Sequence, residues 1–385
     1  MVFAGQAFAS GAAEARVPLS YQETGYPVTS WSLSITPQTS AFKREPSVPP
    51  GHLVRGVLNL GGDTNNALPL LWQRDQGKLY LDLNRNRDFG DDSNNVFSTE
   101  LARESSFQTF TNIHLTVNVG GRSLPVLADI ELWNFGLGNG GSLAVRSFWT
   151  GKAAFQGQDW QVGLVPAVWT GTGDKGISLE KGHLLLRPWD RQSQAFNTSG
   201  GSLETVTKPA ELFFEGQTYQ LNLNSGPANG EFKPELVFSE QAAVLGELKL
   251  TGKYIKRLVL PGDNCEVLLD RPAETVKIPV GTYRTPSVVL EQGGQEAYVQ
   301  NTFFAPAKQV VIVAGAKAPA VLEVGGPLTN SVTAARKGKS LDLNYRILGA
   351  GGNVYQMMVQ DRSKPPQFAV YKGAKQIASG GFEFG

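Results

Sequence analysis

The chain has 385 residues, of which 41% are hydrophobic and 18% charged, with a formal net charge of +1. These values exclude a solvated disordered chain, and no run approaches the ~18 apolar residues of a membrane-spanning helix. The near-neutral balance supplies no overall field for nucleic acid or a lipid surface.

Domains of roughly 100–200 residues imply two to four of them here. Residues 1–17 read as the remnant of a secretory signal. The stretch is apolar and small, with Ala7-Phe8-Ala9 and Ala12-Ala13-Glu14-Ala15 like A-x-A cleavage sites, and its basic leader segment is either missing or upstream of a misplaced start. An extracellular, periplasmic or cell-surface location is therefore expected. Cys265 is the single cysteine and forms no internal disulfide, which leaves metal or loop chemistry to staple the fold.

Period-two alternation dominates the rest of the chain, and only Ser98–Phe110 and Ser239–Leu245 suggest a turn or two of helix. The densest chemistry lies in LYLDLNRNRDFGDD, residues 79–92. Leu79, Leu81 and Leu83 alternate with Tyr80, Asp82 and Asn84, so a strand burying the leucines places Asp82 and Asn84 on its opposite face. Calcium takes six to eight oxygens, from positions one, three and five of such a loop and often the carbonyl of position seven. Asp82, Asn84 and Asn86 fit the first three roles, Asp88 stands at the seventh position, and Asp91 and Asp92 can close the cage.

Two positions depart from that pattern: Arg87 replaces the usual glycine at position six, and Ser93 the usual glutamate at position twelve. An arginine in left-handed backbone costs on the order of 1 kcal/mol. The competing reading is an acidic turn salt-bridged by Arg85 and Arg87. Magnesium suits the loop less, because it tolerates few crowded protein ligands. The segment LDLNYRI at 341–347 begins alike but carries Arg346 at the third ligand position, so it is expected to be an ordinary strand.

A hairpin design recurs at 115–130, 153–165, 212–223 and 246–260; AFQGQDWQV and FFEGQTYQL match closely, each with a glycine able to supply positive φ. VKIPVGTYRTPSVVL at 276–290 sets a Pro-x-Gly-x-Tyr turn between alternating strands. The last block has the strand–turn rhythm of an immunoglobulin-like sandwich and ends inside what reads as a strand, as a truncated chain would. Its residues 306–385 carry ten Lys/Arg against four Asp/Glu, which reads as a solvated basic face.

The expected fold is all-β, with several β-sandwich, immunoglobulin-like or transthyretin-like modules in series. Their expected extents are 18–145 (with the calcium-type loop), 146–240 (hairpin repeats), 241–318 and 319–385.

Enzyme signatures are missing. His52, His114 and His183 lie 62 and 69 residues apart, outside any H-E-x-x-H, and there is no G-x-S-x-G, Asp-Thr/Ser-Gly or phosphate-cradling G-x-x-x-x-G-K-[ST]. A glycosidase leaves no short signature, and Glu211, Glu215, Glu231 and Glu235 are candidates for its carboxylate pair, though solvated strand ends explain them more simply. Seven tryptophans offer a sugar-binding surface, with Trp160 and Trp189 as the candidates; most aromatics of sandwiches are core. Asn197-Thr198-Ser199 is a formal glycosylation site that has meaning only in a eukaryotic secretory pathway.

The loop DLNRNRDFGDD, the GQ-x-[WY]-Q hairpins, the PVGTYR turn and the terminal ASGGFEFG together resemble secreted proteins of environmental bacteria. Those proteins carry a D-x-N-x-[ND]-G-D loop, Gly-x-x-Tyr hairpins and a closing Gly-x-Phe-Glu-Tyr-Gly element. The resemblance covers most of the chain in patches and implies a β-rich extracellular protein without pointing to an activity. The chain departs from it at Arg87 and in 165–176, where only Asp174 remains of an aspartate-rich turn. The expected function is a calcium-stabilised, non-enzymatic surface or matrix protein that binds a polysaccharide or another surface protein. The alternative is a carbohydrate-binding or glycan-active protein.

Overall fold

A computed structural model describes residues 14–47, 53–60, 66–92, 94–100, 107–119, 121–134, 139–169, 176–191, 205–207, 210–226, 232–284, 287–299, 309–338, 340–357 and 364–382. The fold is all-β. Among the described residues there is no α-helix, only short 3-10 turns such as Arg74–Gln76, and no helix is long and apolar enough to cross a membrane.

The chain divides into two compact units: 1–198 with 204–208 and 220–239, and 199–203 with 209–219 and 240–385. In the first unit, eight antiparallel strands run in the order Val96–Ser98, Lys78–Leu81, Ala67–Gln73, Leu53–Asn59, Thr29–Pro37, Asn139–Val145, Arg122–Asn134 and Phe107–Val119. A second sheet includes Gly176–Pro188, Gln158–Trp169, Ser147–Phe155 and Ser20–Glu23. The alternating apolar residues of both meet in one core that joins Leu33, Leu70, Trp72, Phe110 and Ile130 to Phe148, Val165 and Leu185. Each large side chain fully buried there contributes about 1.5–3 kcal/mol relative to exposure.

The second unit contains the strands Glu211–Phe214, Cys265–Asp270, Ile255–Leu260, Ser287–Gln292, Gln295–Val299, Val354–Met357, Ser340–Leu348 and Thr329–Lys337, side by side in that order. Its core also takes Leu248, Ile278, Ile312 and Leu322 from two smaller sheets.

The repeated hairpins owe their turns to the same backbone device. Gln156 and Gly157 have φ of 48° and 80°, and Glu215 and Gly216 have 49° and 79°, so both central residues are left-handed, as the tightest right-twisted hairpins require. The hairpin expected at 246–260 does not form. Leu245–Leu250 pairs with Thr275–Pro279 and Ala320–Leu322, whereas Ile255–Leu260 pairs with Cys265–Asp270 and Ser287–Gln292. The connection at 251–254 carries the chain from one sheet to another, and a Cβ at Gly252 would clash with Val324 O. The helical turn expected at Ser239–Leu245 is also absent: strand Glu235–Gln241 runs into it, and strand Leu245–Leu250 begins at its end. Of Ser98–Phe110, the described ends are strand and irregular chain, and 101–106 lie outside the described residues.

The stretches set apart in the sequence are linked by distant pairing. Ser20–Glu23 pairs with Ser147–Phe155, Glu14–Pro18 with Glu235–Gln241, and Gln295–Val299 with Val354–Met357.

Candidate metal centre

Strand Lys78–Leu81 buries Leu79 and Leu81 and stops there. The expected continuation, with Asp82 and Asn84 on the solvent face, gives way to a turn at 83–84, and Asp82 folds under the loop with 0% exposure. Its backbone N–H donates to Pro69 O at 3.1 Å. Its carboxylate accepts Asn86 N–H on Oδ1 at 3.2 Å and Arg87 N–H on Oδ2 at 2.6 Å. Arg85 and Arg87 lie in the left-handed region, at φ 61° and 65°. Those two reversals wind the chain round the aspartate.

The remaining polar side chains tie the loop to itself. Asn84 Oδ1 accepts Asn86 N–H at 3.0 Å, and Asn86 Oδ1 accepts Asp88 N–H at 2.7 Å. Asn86 Nδ2 donates to Asp91 Oδ2 at 2.7 Å. Asp92 Oδ1 accepts Asn95 Nδ2 at 2.7 Å, but Asp92 Oδ2 is buried without a hydrogen-bond donor. Burial pushes the Asp92 carboxyl above its ordinary range, helped by the charges of Asp82 and Asp91 and by hydrogen-bond contact with the Asp82 carboxyl, while Asn95 opposes the shift.

Asp88 is engaged on both oxygens: its Oδ1 accepts Gly90 N–H at 2.9 Å. Its Oδ2 accepts Arg44 Nε at 2.8 Å and pairs with Arg44 Nη2 at 2.7 Å, and that hydrogen bond holds the Asp88 carboxyl below its usual range. The cation bound to a loop carboxylate is therefore Arg44, forty-four positions upstream. Arg85 instead donates to the carbonyls of Leu83 and Thr116, and the Arg87 guanidinium lies 5.6 Å from the Phe42 ring centroid.

The segment around Phe42 escaped the sequence reading. Lys43 N–H donates to Arg87 O at 2.9 Å, Phe89 N–H donates to Arg44 O at 3.0 Å, and the Phe42 and Phe89 rings meet edge to face at 5.1 Å. Its only local signal is aromatic and basic character in an otherwise irregular stretch.

Among the described residues, no three or more His, Cys, Asp or Glu side chains gather as a metal-holding group. A cation here must draw on mixed donors, carboxylate and amide oxygens together.

The other candidates lie apart from this loop. Trp160 is 1% exposed and packed in the core, where it presents no face to a ligand. Trp189 is half-buried, with Lys152 Nζ 4.9 Å from its ring centroid. Glu235 pairs with Arg16 at 3.0 Å, Glu215 occupies a hairpin turn where burial raises its pKa, Glu211 is exposed, and Glu231 lies outside the described residues. His114 contacts Glu23 at 3.1 Å, burial lowers the pKa of His183, and His52 lies outside the described residues. Cys265 is free and buried, and its thiol is pushed up to about 11, which leaves it inert as a nucleophile. No protein-family model, no curated protein and no solved structure matches the chain.

Proposed function

We propose that this is a secreted or cell-surface, non-enzymatic β protein whose 82–92 loop holds one structural calcium ion. The observation that carries the reading is Asp92 Oδ2, buried and without a donor in a loop it shares with the carboxylates of Asp82 and Asp91. An unsatisfied buried oxygen costs about 1–3 kcal/mol, more when charged, and a hard cation removes that penalty. Asp82, Asn84, Asn86, Asp91 and Asp92 would supply side-chain oxygens, the three carboxylates drawing together round the ion because they are not gathered as a metal-holding group without it. Asp88, whose carboxylate is engaged by Arg44, would offer its carbonyl. A carboxylate has about four lone-pair positions, so Asp82 retains acceptor capacity after receiving two N–H groups. The all-oxygen donor set suits calcium. When bound, the ion would neutralise the clustered carboxylates.

The apolar small-residue segment at 1–17 and the resemblance to secreted bacterial β proteins support export. The lack of enzyme signatures supports a binding or structural role towards a polysaccharide or another surface protein.

The test is thermal melting with calcium and with chelator. A ligand that binds only the folded state at a hundredfold excess over Kd stabilises by about 2.7 kcal/mol. Asp82→Ala should abolish the rise in Tm, and Asn344→Ala should leave it intact. Identical melts in calcium and chelator, with no calcium binding by calorimetry at millimolar concentration, would reduce the loop to an acidic turn. The glycan-active rival gains if a panel of chromogenic glycosides shows turnover that one carboxylate substitution removes.

A further inference from the structure

Tyr254 combines two features that rarely coincide. Its backbone is left-handed, at φ 64°, and its side chain is 44% exposed. Bulky residues avoid that conformation unless their surroundings enforce it. Here they do: Lys253 and Gly326 exchange backbone hydrogen bonds at 3.0 and 2.8 Å, and Tyr254 O accepts Glu291 N–H at 2.9 Å. The ring lies over Gly326, where a Cβ would come within 2.9 Å of Tyr254 Cδ2. The turn thus holds an aromatic ring in the open at one end of the second unit's core.

That ring borders a cavity of about 280 Å³. Strand register builds the rest. Leu290 opposes Ala297, and Gln292 opposes Gln295 across the turn at Gly293 and Gly294, so the two apolar residues form a floor and the two amides stand side by side at the rim. Asn330, paired with Ile347 on the far side, also lines the cavity. Its Oδ1 accepts Tyr345 O–H at 2.7 Å, which leaves its Nδ2 to donate elsewhere. No formally charged side chain lines this cavity. On the other side of Tyr254 lies a separate cleft of about 630 Å³ lined by Lys253, Lys256 and Arg271, of which the last two pair with Glu291 at 3.4 Å.

We infer that Tyr254, Gln292, Gln295 and Asn330 form a binding site for a neutral saccharide. A sugar ring presents an apolar C–H face, which an exposed aromatic ring covers, and a rim of hydroxyls, each both donor and acceptor. Carboxamides match that rim because they also donate and accept. No charged side chain lines this cavity to meet an anionic polymer, and a lipid chain has no use for three amides. The volume is near the lower end of ligand sites, ~300–1,000 Å³, and suits one sugar ring gripped at a chain end or side group. The site rests on the polysaccharide-binding reading, to which it gives a place and a ligand class, and it uses none of the residues of the 82–92 loop.

The test is electrophoresis of the full chain through native gels containing hydroxyethylcellulose, arabinoxylan or galactomannan, with alginate as the anionic comparison. The expected result is retardation in at least one neutral gel, lost in Tyr254→Gly, which also relieves the left-handed strain and so keeps or raises Tm. Gln292→Ala with Gln295→Ala should weaken binding about tenfold, the factor that 1.4 kcal/mol corresponds to. Tyr371→Ala, at an exposed tyrosine elsewhere, should behave as wild type. No retardation in any neutral gel, retardation in alginate alone, or retention by Tyr254→Gly would each overturn the site. The calcium melt reads the loop separately, so failure of one proposal is distinguishable from failure of the other.

Discussion

Two segments of this chain begin with the same letters and end in different structures. LDLNRNRDF at 81–89 leaves its strand at Leu81 and winds round a buried aspartate, whereas LDLNYRI at 341–347 continues through the nine-residue strand Ser340–Leu348. In the first, Asp82 is engaged by two backbone N–H groups of its own loop. In the second, Asp342 reaches across the hairpin to Lys337 at 2.6 Å, and Asn344 Oδ1 accepts Arg346 Nε at 3.3 Å. The leucines before Asp82 are fully buried and anchor the loop, while Leu341 is exposed. Two arginines then accept left-handed backbone in the loop, and no residue between 341 and 347 does. An Asp-x-Asn pair becomes a site only where the chain can turn back on the carboxylate.

The largest expected effect breaks that carboxylate. Asp82→Ala leaves the Arg87 N–H without its acceptor, while Asn86 N–H keeps Asn84 Oδ1; with hydrogen bonds to charged groups worth about 1.5–3 kcal/mol, a loss of about 2–3 kcal/mol is expected even in chelator. Asp342→Ala, at an exposed ion pair, should change stability by less than about 1 kcal/mol. Urea unfolding of both variants measures the contrast, and equal losses would erase the distinction between the segments.

Burial of a carboxylate is not enough to make a metal loop, and Glu266 shows the difference. Burial alone pushes its carboxyl up to about 7. Because the unfolded value is lower, the native state binds more protons between about pH 4 and pH 7. Stability should therefore fall as pH rises through that window and remain lower above it. Glu266→Gln should flatten this limb and stabilise at pH 8 by on the order of 2 kcal/mol, equally in calcium and in chelator. A calcium-dependent effect would tie Glu266 to a cation after all.

Asp92→Asn should separate the cost of the metal-free loop from the gain on binding. With one charge removed beside Asp82 and Asp91, the protein in chelator should gain about 1 kcal/mol, the low end of what an unsatisfied buried acceptor costs. The calcium-dependent rise in Tm should shrink or vanish. Stabilisation in both media, with the calcium response preserved, would mean that Asp92 only strains the fold.

How much of this was legible in the sequence differs from residue to residue. The alternation of Leu79 and Leu81, the left-handed demand on Arg87 and the strand at 341–347 follow from local spacing, because period-two packing and loop geometry act over a few residues. The hairpin glycines at 157 and 216 were readable for the same reason. What escaped depends on distance along the chain. Arg44 pairs with Asp88, and Ser20–Glu23 lies beside Ser147–Phe155. The connection at 251–254 reads as a hairpin turn, although Val324 and Gly325 lie against Gly252. Tyr254 carried no signal either, since nothing next to it in sequence reveals Gln292, Gln295 and Asn330.

The smallest effect is the sharpest in sign. Arg87 is left-handed in the loop, so Arg87→Gly removes strain of about 1–2 kcal/mol but gives up its contact with Phe42, worth about 0.5–1 kcal/mol. The net expectation is a stabilisation of about 0.5–1 kcal/mol. Arg346 lies in a regular strand of the look-alike segment, where glycine loses backbone entropy and costs about 0.5–1 kcal/mol. The same substitution should thus raise Tm at position 87 and lower it at position 346. Differential scanning calorimetry of the two variants resolves shifts of this size. If both fall, Arg87 contributes more through Phe42 than its backbone costs, and the segment around Phe42 stabilises the loop more than local geometry accounts for. If both rise, strand Ser340–Leu348 does not hold its regular backbone, and the contrast between the two segments fails.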